Sequence, residues 1–281
     1  MRVAIASGKG GTGKTTIAVN LAKTLAEDGP VRFLDCDVEE PNAHLFLRPT
    51  FQERKGVALL VPQIDAEKCT GCGLCSRVCA FHALAVVGGK VITFPELCHG
   101  CGGCSLFCPT GAIHEIPKKI GVVENGLAGK ISFSHGRLEV GSALVPPLIK
   151  AVKKQVHADR IVILDAPPGT SCPVVATVAG CDYCLLVTEP TPFGRHDLDL
   201  AVGMARELGI PCGVVLNRAG DGDEIIEDYC AREGLPLLLK IPFDRRYAAC
   251  YAAGNLLVEE FPSWQEVFKD LWREIERRAG A

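Results

Sequence analysis

Fifteen cysteines stand in this 281-residue chain, and eight of them fall in two runs of identical spacing. The first run is Cys69, Cys72, Cys75 and Cys79; the second is Cys98, Cys101, Cys104 and Cys108, ending in Cys108-Pro109. Reduced thiols in such numbers point to metal binding or redox chemistry rather than to disulfides. Each tight CxxCxxC turn supplies three thiolates to one cubane, and the fourth cysteine of each run ligates the other cluster. That assigns Cys69, Cys72, Cys75 and Cys108 to one 4Fe–4S centre and Cys98, Cys101, Cys104 and Cys79 to a second. Zinc ribbons also use CxxC pairs, but rarely four cysteines at this spacing twice over. Proline follows Cys108 whereas Ala80 follows Cys79, and the missing proline is expected to alter the hydrogen bonding to that sulfur. Two centres in one small module read as an electron wire rather than as a catalyst.

A second chemistry lies near the start of the chain. Gly8-Lys9-Gly10-Gly11-Thr12-Gly13-Lys14-Thr15 fits GxxxxGK followed by a hydroxyl residue, and Thr16 comes next. Glycines let backbone N–H groups wrap a β-phosphate, Lys14 reaches the β- and γ-oxygens, and the Thr15 hydroxyl ligates Mg²⁺.

These residues need a scaffold, and the apolar pattern supplies one. Val3-Ala4-Ile5-Ala6 reads as a strand leading into the glycine loop, and Ile17, Leu21 and Leu25 give Lys14 to Asp28 helical spacing. A second strand, Val31 to Leu34, ends at Asp35-Cys36-Asp37. Further strands are expected at 161–164, 183–187, 213–216 and 237–241, with helices near 144–156, 195–209 and 223–233. Apolar strands alternating with helices predict an α/β fold, a mostly parallel sheet covered on both faces. Residues 62–117 break this rhythm, and they are expected to form a small α+β domain inserted into a host made of residues 1–61 and 118–281. The two ends of such an insert should lie close together.

Composition narrows the partners. Hydrophobic residues make up 48% and charged ones 22%, as in an ordinary globular protein, and the net charge of −3 provides no basic field for nucleic acid. The apolar runs fall short of the roughly 18 residues that span a bilayer, and the start does not read as a signal peptide, so a cytoplasmic location is expected.

Lys9, directly before Gly10-Gly11, resembles the deviant Walker A signature of the MinD/ParA/Mrp ATPases and the nitrogenase iron protein. The resemblance implies ATP or ADP with Mg²⁺ as ligands. It also implies a homodimer on ATP binding, in which Lys9 reaches the partner's nucleotide. Asp35-Cys36-Asp37 followed by Pro41-Asn42 looks like the family's first switch, with Asp37 orienting the attacking water. Asp165, then Pro167-Pro168-Gly169, resembles Walker B and the second switch, where Asp165 would hold Mg²⁺ through water and the Gly169 N–H would sense the γ-phosphate. Asn217 matches an adenine-reading asparagine, and the stretch Ile241-Pro242-Phe243-Asp244 matches a base-side loop. Residues 62–117 resemble bacterial two-cluster ferredoxins.

Seven cysteines remain: Cys36, Cys172, Cys181, Cys184, Cys212, Cys230 and Cys250. Most read as small buried hydrophobes. Cys181 and Cys184 form a CxxC entering a strand, where their side chains are expected on opposite faces. Cys172 lies where the nitrogenase iron protein carries a bridging cysteine, but Glu139-Val140-Gly141-Ser142-Ala143 lacks a companion, so a free thiol is expected. The segment Ser263 to Arg278 is amphipathic like a MinD membrane helix, yet its acidic and basic residues balance, which favours packing on the sheet over lipid.

Three uses of an ATP cycle stay open. One is a nucleotide-gated redox protein serving a metallocofactor partner; the family resemblance suggests small molybdenum-binding proteins. Another is an Mrp-like iron–sulfur carrier, although eight cysteines for two clusters leave no labile position. The third is a MinD- or ParA-like positioning ATPase with the clusters as redox sensor.

Overall fold

The computed structural model describes residues 1–156 and 161–280. Its strands are β1 (Arg2–Ala6), β2 (Val31–Asp35), β3 (Thr50–Ile64), β4 (Leu84–Val87), β5 (Lys90–Thr93), β6 (Ile113–Ala128), β7 (Ile131–Leu138), β8 (Ile161–Asp165), β9 (Tyr183–Thr188), β10 (Cys212–Ala219) and β11 (Leu237–Pro242). Its helices are α1 (Lys14–Asp28), α2 (Ala43–Leu47), α3 (Leu74–Val78), α4 (Gly103–Leu106), α5 (Val145–Lys153), α6 (Cys172–Val178), α7 (Pro192–Glu207), α8 (Glu224–Glu233), α9 (Arg245–Ala252), α10 (Leu257–Glu260) and α11 (Ser263–Ala279).

Among the described residues nine strands form one sheet in the order β11-β10-β9-β1-β8-β2-β7-β6-β3. Every pair from β11 to β7 is parallel, and β6 and β3 are added antiparallel. Alternation divides each central strand between two cores. Val3 and Ile5 face α1 and α11, while Ala4 and Ala6 face the layer that includes Leu148, Val174 and Leu198. Helix α7 starts earlier than its hydrophobic spacing suggests because Thr191 accepts the Gly194 N–H at 2.9 Å and Pro192 occupies the first turn.

The antiparallel edge was not expected. β3 and β6 pair from Thr50 opposite Leu127 to Ile64 opposite Ile113, a ribbon that starts in the main sheet and runs beyond it. Its exposed face and charged residues such as Glu53, Arg54, Lys118 and Lys119 leave little apolar period to read. At its far end, residues 65–112 form α3, the β4–β5 hairpin and α4 around a separate small cluster of Val61, Cys75, Ala83, Leu84, Cys98 and Ile113.

Helix α11 buries Trp264, Phe268, Leu271, Trp272 and Ile275 in the core shared with α1, in line with packing on the body of the protein. Burial of large apolar side chains stabilises by about 1.5–3 kcal/mol each, which decides the position of this helix. Among the described residues no helix is long and apolar enough to cross a membrane.

Candidate functional site: a nucleotide cleft and two cysteine cavities

The phosphate loop connects β1 to α1, and its geometry depends on glycine. Gly13 has φ 96°, and a Cβ there would strike the Asn217 side-chain amide. Gly8 sits against the backbone of Asp197 in α7, closer than any Cβ allows. Lys14 opens α1 at 7% exposure.

The carboxyl ends of β2 and β8 bring acidic residues to this loop, the place where open α/β sheets bind ligands. Asp165 is buried at the end of β8, and neither of its carboxylate oxygens has a well-formed hydrogen bond, though the Thr15 hydroxyl lies beside them. Burial pushes its carboxyl up to about 7, with Thr15 and Lys14 pulling it down and Asp37 adding to the rise. Hard oxygen donors left free beside the Thr15 hydroxyl suit Mg²⁺, so these residues fit the ion. Asp37 is raised by burial, opposed by the Glu40 N–H and by Lys14. Lys14, Thr15, Asp37 and Asp165 therefore meet in one place.

Asp35 organises the loop that carries Asp37. It is fully buried and accepts the N–H groups of Asp37, Asn42 and Ala43, each at 3.1 Å. Burial and then the neighbouring Asp165 raise its carboxyl well above the usual range.

Other expected residues are engaged within the chain. Lys9 forms an ion pair with Glu189, whose second oxygen accepts Arg218 at 2.8 Å. Arg218 also donates to the Gly11 carbonyl at 3.0 Å, closing the loop from the β10 side. Glu189 follows β9, and its place at the carboxyl end of a parallel strand was the only signal for it. The Gly169 N–H donates to the Ser7 carbonyl at 3.0 Å, and the Asn217 amide donates to the Thr12 carbonyl at 2.8 Å. Asn217, Pro242, Gly11, Gly13 and Thr16 nevertheless line one cleft of about 300 Å³ that extends to Tyr247.

The eight cysteines surround two other cavities. One is lined by Cys69, Cys72, Cys75 and Cys108, the other by Cys79, Cys98, Cys101 and Cys104. The two runs share a backbone: Gly71 and Gly100 have φ of 67° and 64°, and Gly73 and Gly102 have 74° and 72°. The Ala83 N–H donates to Cys79 Sγ and the Ala112 N–H to Cys108 Sγ, both at 3.3 Å. Ala80 thus leaves that bond to sulfur unchanged, contrary to the expectation from sequence, because His82 takes up a φ of 51° where Gly111 has 63°. The turns differ instead at the next position. The Thr110 hydroxyl lies 3.7 Å from Cys108 Sγ, whereas the equivalent Phe81 stacks on His99. Desolvation opposes the Cys108 thiolate, but N–H groups and the Thr110 hydroxyl outweigh it and lower its pKa. Four thiols around each cavity, with N–H donors aimed at sulfur, fit a cubane. A cubane binds its cysteines through different irons, so they stand further apart than ligands of one ion. Among the described residues no three ligating side chains converge on a single-ion site.

Of the remaining cysteines, Cys36, Cys181, Cys184, Cys230 and Cys250 are buried, Cys212 is half-buried and Cys172 is exposed. Cys181 and Cys184 belong to the same core layer rather than to opposite faces, because Cys181 precedes β9 and escapes its alternation.

The parallel sheet and phosphate loop define a P-loop nucleotide-binding protein. The chain belongs to the CobQ/CobB/MinD/ParA nucleotide binding domain family, whose model matches residues 3–258, and it is an ATPase of that family. It is 32% identical over 277 residues to an uncharacterized protein of Methanocaldococcus jannaschii, covering 94% of this chain and 97% of the relative. An iron-sulfur cluster carrier protein of Pyrococcus abyssi is 26% identical over 263 residues, covering 86% and 74%. Among solved structures, the septum site-determining protein MinD complexed with Mg-ADP from Pyrococcus horikoshii aligns with a TM-score of 0.61 at 20% identity, covering 99% of this chain and 97% of that one. That likeness is one of fold.

Proposed function

We propose that this ATPase is a nucleotide-gated electron-transfer protein. The observation that carries the reading is the pairing of two four-cysteine cavities with a phosphate-binding sheet through one continuous ribbon. Cys69, Cys72, Cys75 and Cys108 would hold one 4Fe–4S cluster and Cys98, Cys101, Cys104 and Cys79 the other, in a ferredoxin-like insert spanning residues 62–117. The clusters supply one-electron transfer. In the nucleotide cleft, Lys14 neutralises phosphate charge, Thr15 and Asp165 hold Mg²⁺, and Asp37 positions the attacking water. Asn217 and Pro242 border the base. ATP binding closes a homodimer, for which Lys9 must leave Glu189 and Gly169 must leave Ser7. The electrons go to a metalloprotein partner, for which a small molybdenum-binding protein is the candidate.

The resemblance to the Pyrococcus abyssi carrier protein supports a second reading, in which a cluster is cargo. Iron and sulfide analysis of anaerobically purified protein separates the two. About eight irons per chain, retained through Mg-ATP turnover, is the expected result for two resident cubanes. Zinc in their place, or iron passing to an apo-acceptor during turnover, would overturn it.

A further inference from the structure

Five ionisable residues stand in register on five adjacent strands: Asp165 on β8, Asp35 on β2, His135 on β7, Glu124 on β6 and Arg54 on β3. Cross-strand partners project to the same face, so the row lies on one side of the sheet. Asp165, Asp35 and His135 are at most 2% exposed. Burying such groups is costly unless they are paired, and a line of them from the nucleotide cleft to the ribbon calls for a role.

Contacts connect the row. The Asp35 carboxylate accepts the N–H of Ala43, the first residue of α2, at 3.1 Å. The next residue, His44, sets its ring edge against His135 at 5.3 Å. His135 Nε2 lies 3.0 Å from Glu124 Oε2, while Arg54 and Arg137 flank that carboxylate at 3.7 and 3.8 Å. Phe51, near the start of β3, stacks on His135 at 5.1 Å. Helix α2 then passes into β3 through Arg48, a non-glycine residue at φ 49°. Both strands of the ribbon are therefore gripped at one node, β6 by Glu124 and β3 by Phe51 and the chain itself.

We propose that His135, bonded to Glu124 and packed against His44, is a positioning residue that carries movement of the Asp37 loop and α2 into the β3–β6 ribbon and so to the cysteine module. The proposal rests on the nucleotide-gated reading above and names its mechanical link. The loop is held by N–H groups converging on Asp35, so rearranging Asp37 around a nucleotide redirects α2. Packed aromatic rings do not deform continuously, so His44, His135 and Phe51 shift as a unit.

Hydrogen–deuterium exchange on the cluster-loaded full chain, with and without Mg-ATP, tests this in wild type, His135→Phe and Glu124→Gln. Phe suits the aromatic surroundings, and Gln keeps the Glu124 shape should the first variant fold poorly. In wild type, Mg-ATP is expected to change exchange in residues 50–64 and 113–128 severalfold. In either folded variant that change should vanish while the ATPase rate stays within about threefold, since the node touches neither phosphate nor metal site. A ribbon response retained in Glu124→Gln and in folded His135→Phe overturns the link but leaves the gated reading standing. A wild-type ribbon that ignores Mg-ATP overturns both.

Discussion

The nucleotide half of the sheet and the cysteine module are held together by different means. The sheet stands between two large apolar cores, and the phosphate loop is held by β1, α1 and contacts from Asn217 and Arg218. The module has one small cluster in which Cys75 and Cys98 are themselves buried members, and it leaves Leu106 at 79% and Phe107 at 55% exposure. A unit of about 50 residues rarely gains enough from its core alone, so the clusters proposed for it would contribute to its folding. On the proposed reading, nucleotide binding acts on a sheet with large cores of its own, whereas cluster binding would be part of folding the module.

The largest effects should come from breaking that asymmetry. Cys75→Ala and Cys98→Ala are each expected to lose one centre and most exchange protection over residues 65–112, while the protein still binds Mg-ADP, because the cleft is lined entirely by residues outside the module. Iron analysis with hydrogen exchange and calorimetry checks both halves of the statement. Asp37→Ala should slow ATP hydrolysis by about 100-fold or more with nucleotide binding retained, measured as single-turnover phosphate release. Lys14→Ala should weaken Mg-nucleotide binding by about 10- to 100-fold, as expected for losing a charge-assisted contact, with iron content unchanged. Nucleotide affinity that survives this change would contradict the assigned cleft.

The smallest effect concerns the boundary between the regions. Burial holds the His135 and His44 imidazoles below their usual range, with Arg137 acting in the same direction and Glu124 opposing. The unfolded chain therefore binds these protons more readily than the folded one. Their contribution to stability is full above about pH 6.5 and is lost as pH falls. Thermal melts between pH 7 and 5 should show wild type losing more stability on acidification than His135→Phe, and equal losses in the two proteins would contradict the assignment.

What could be read from the residues alone followed burial. Val3 to Ala6, the loop and α1 were legible because apolar periodicity and glycine spacing are local signals. The two cysteine runs were legible because their spacing is a local signal, and the cavities group Cys108 with Cys69, Cys72 and Cys75, and Cys79 with Cys98, Cys101 and Cys104, as the two-cluster ligation pattern would. The β3–β6 ribbon was not legible, since Gln52 to Lys55 are exposed and polar and Pro117 interrupts its partner. Nor was the node of His44, Glu124 and His135, whose members are far apart in sequence and meet only when β6 and β7 join the sheet edge. Glu189 escaped notice because its ion pair with Lys9 joins two loops 180 positions apart.

The central claim is that nucleotide state and cluster state are coupled. An anaerobic, EPR-monitored redox titration of the cluster-loaded protein with and without Mg-ATP tests it most directly. The account expects at least one cluster to shift its midpoint by more than about 60 mV, a tenfold change for one electron. Superimposable titrations in the two states would contradict it and leave the cysteine module a passive wire or a sensor on an ATPase that does not gate it.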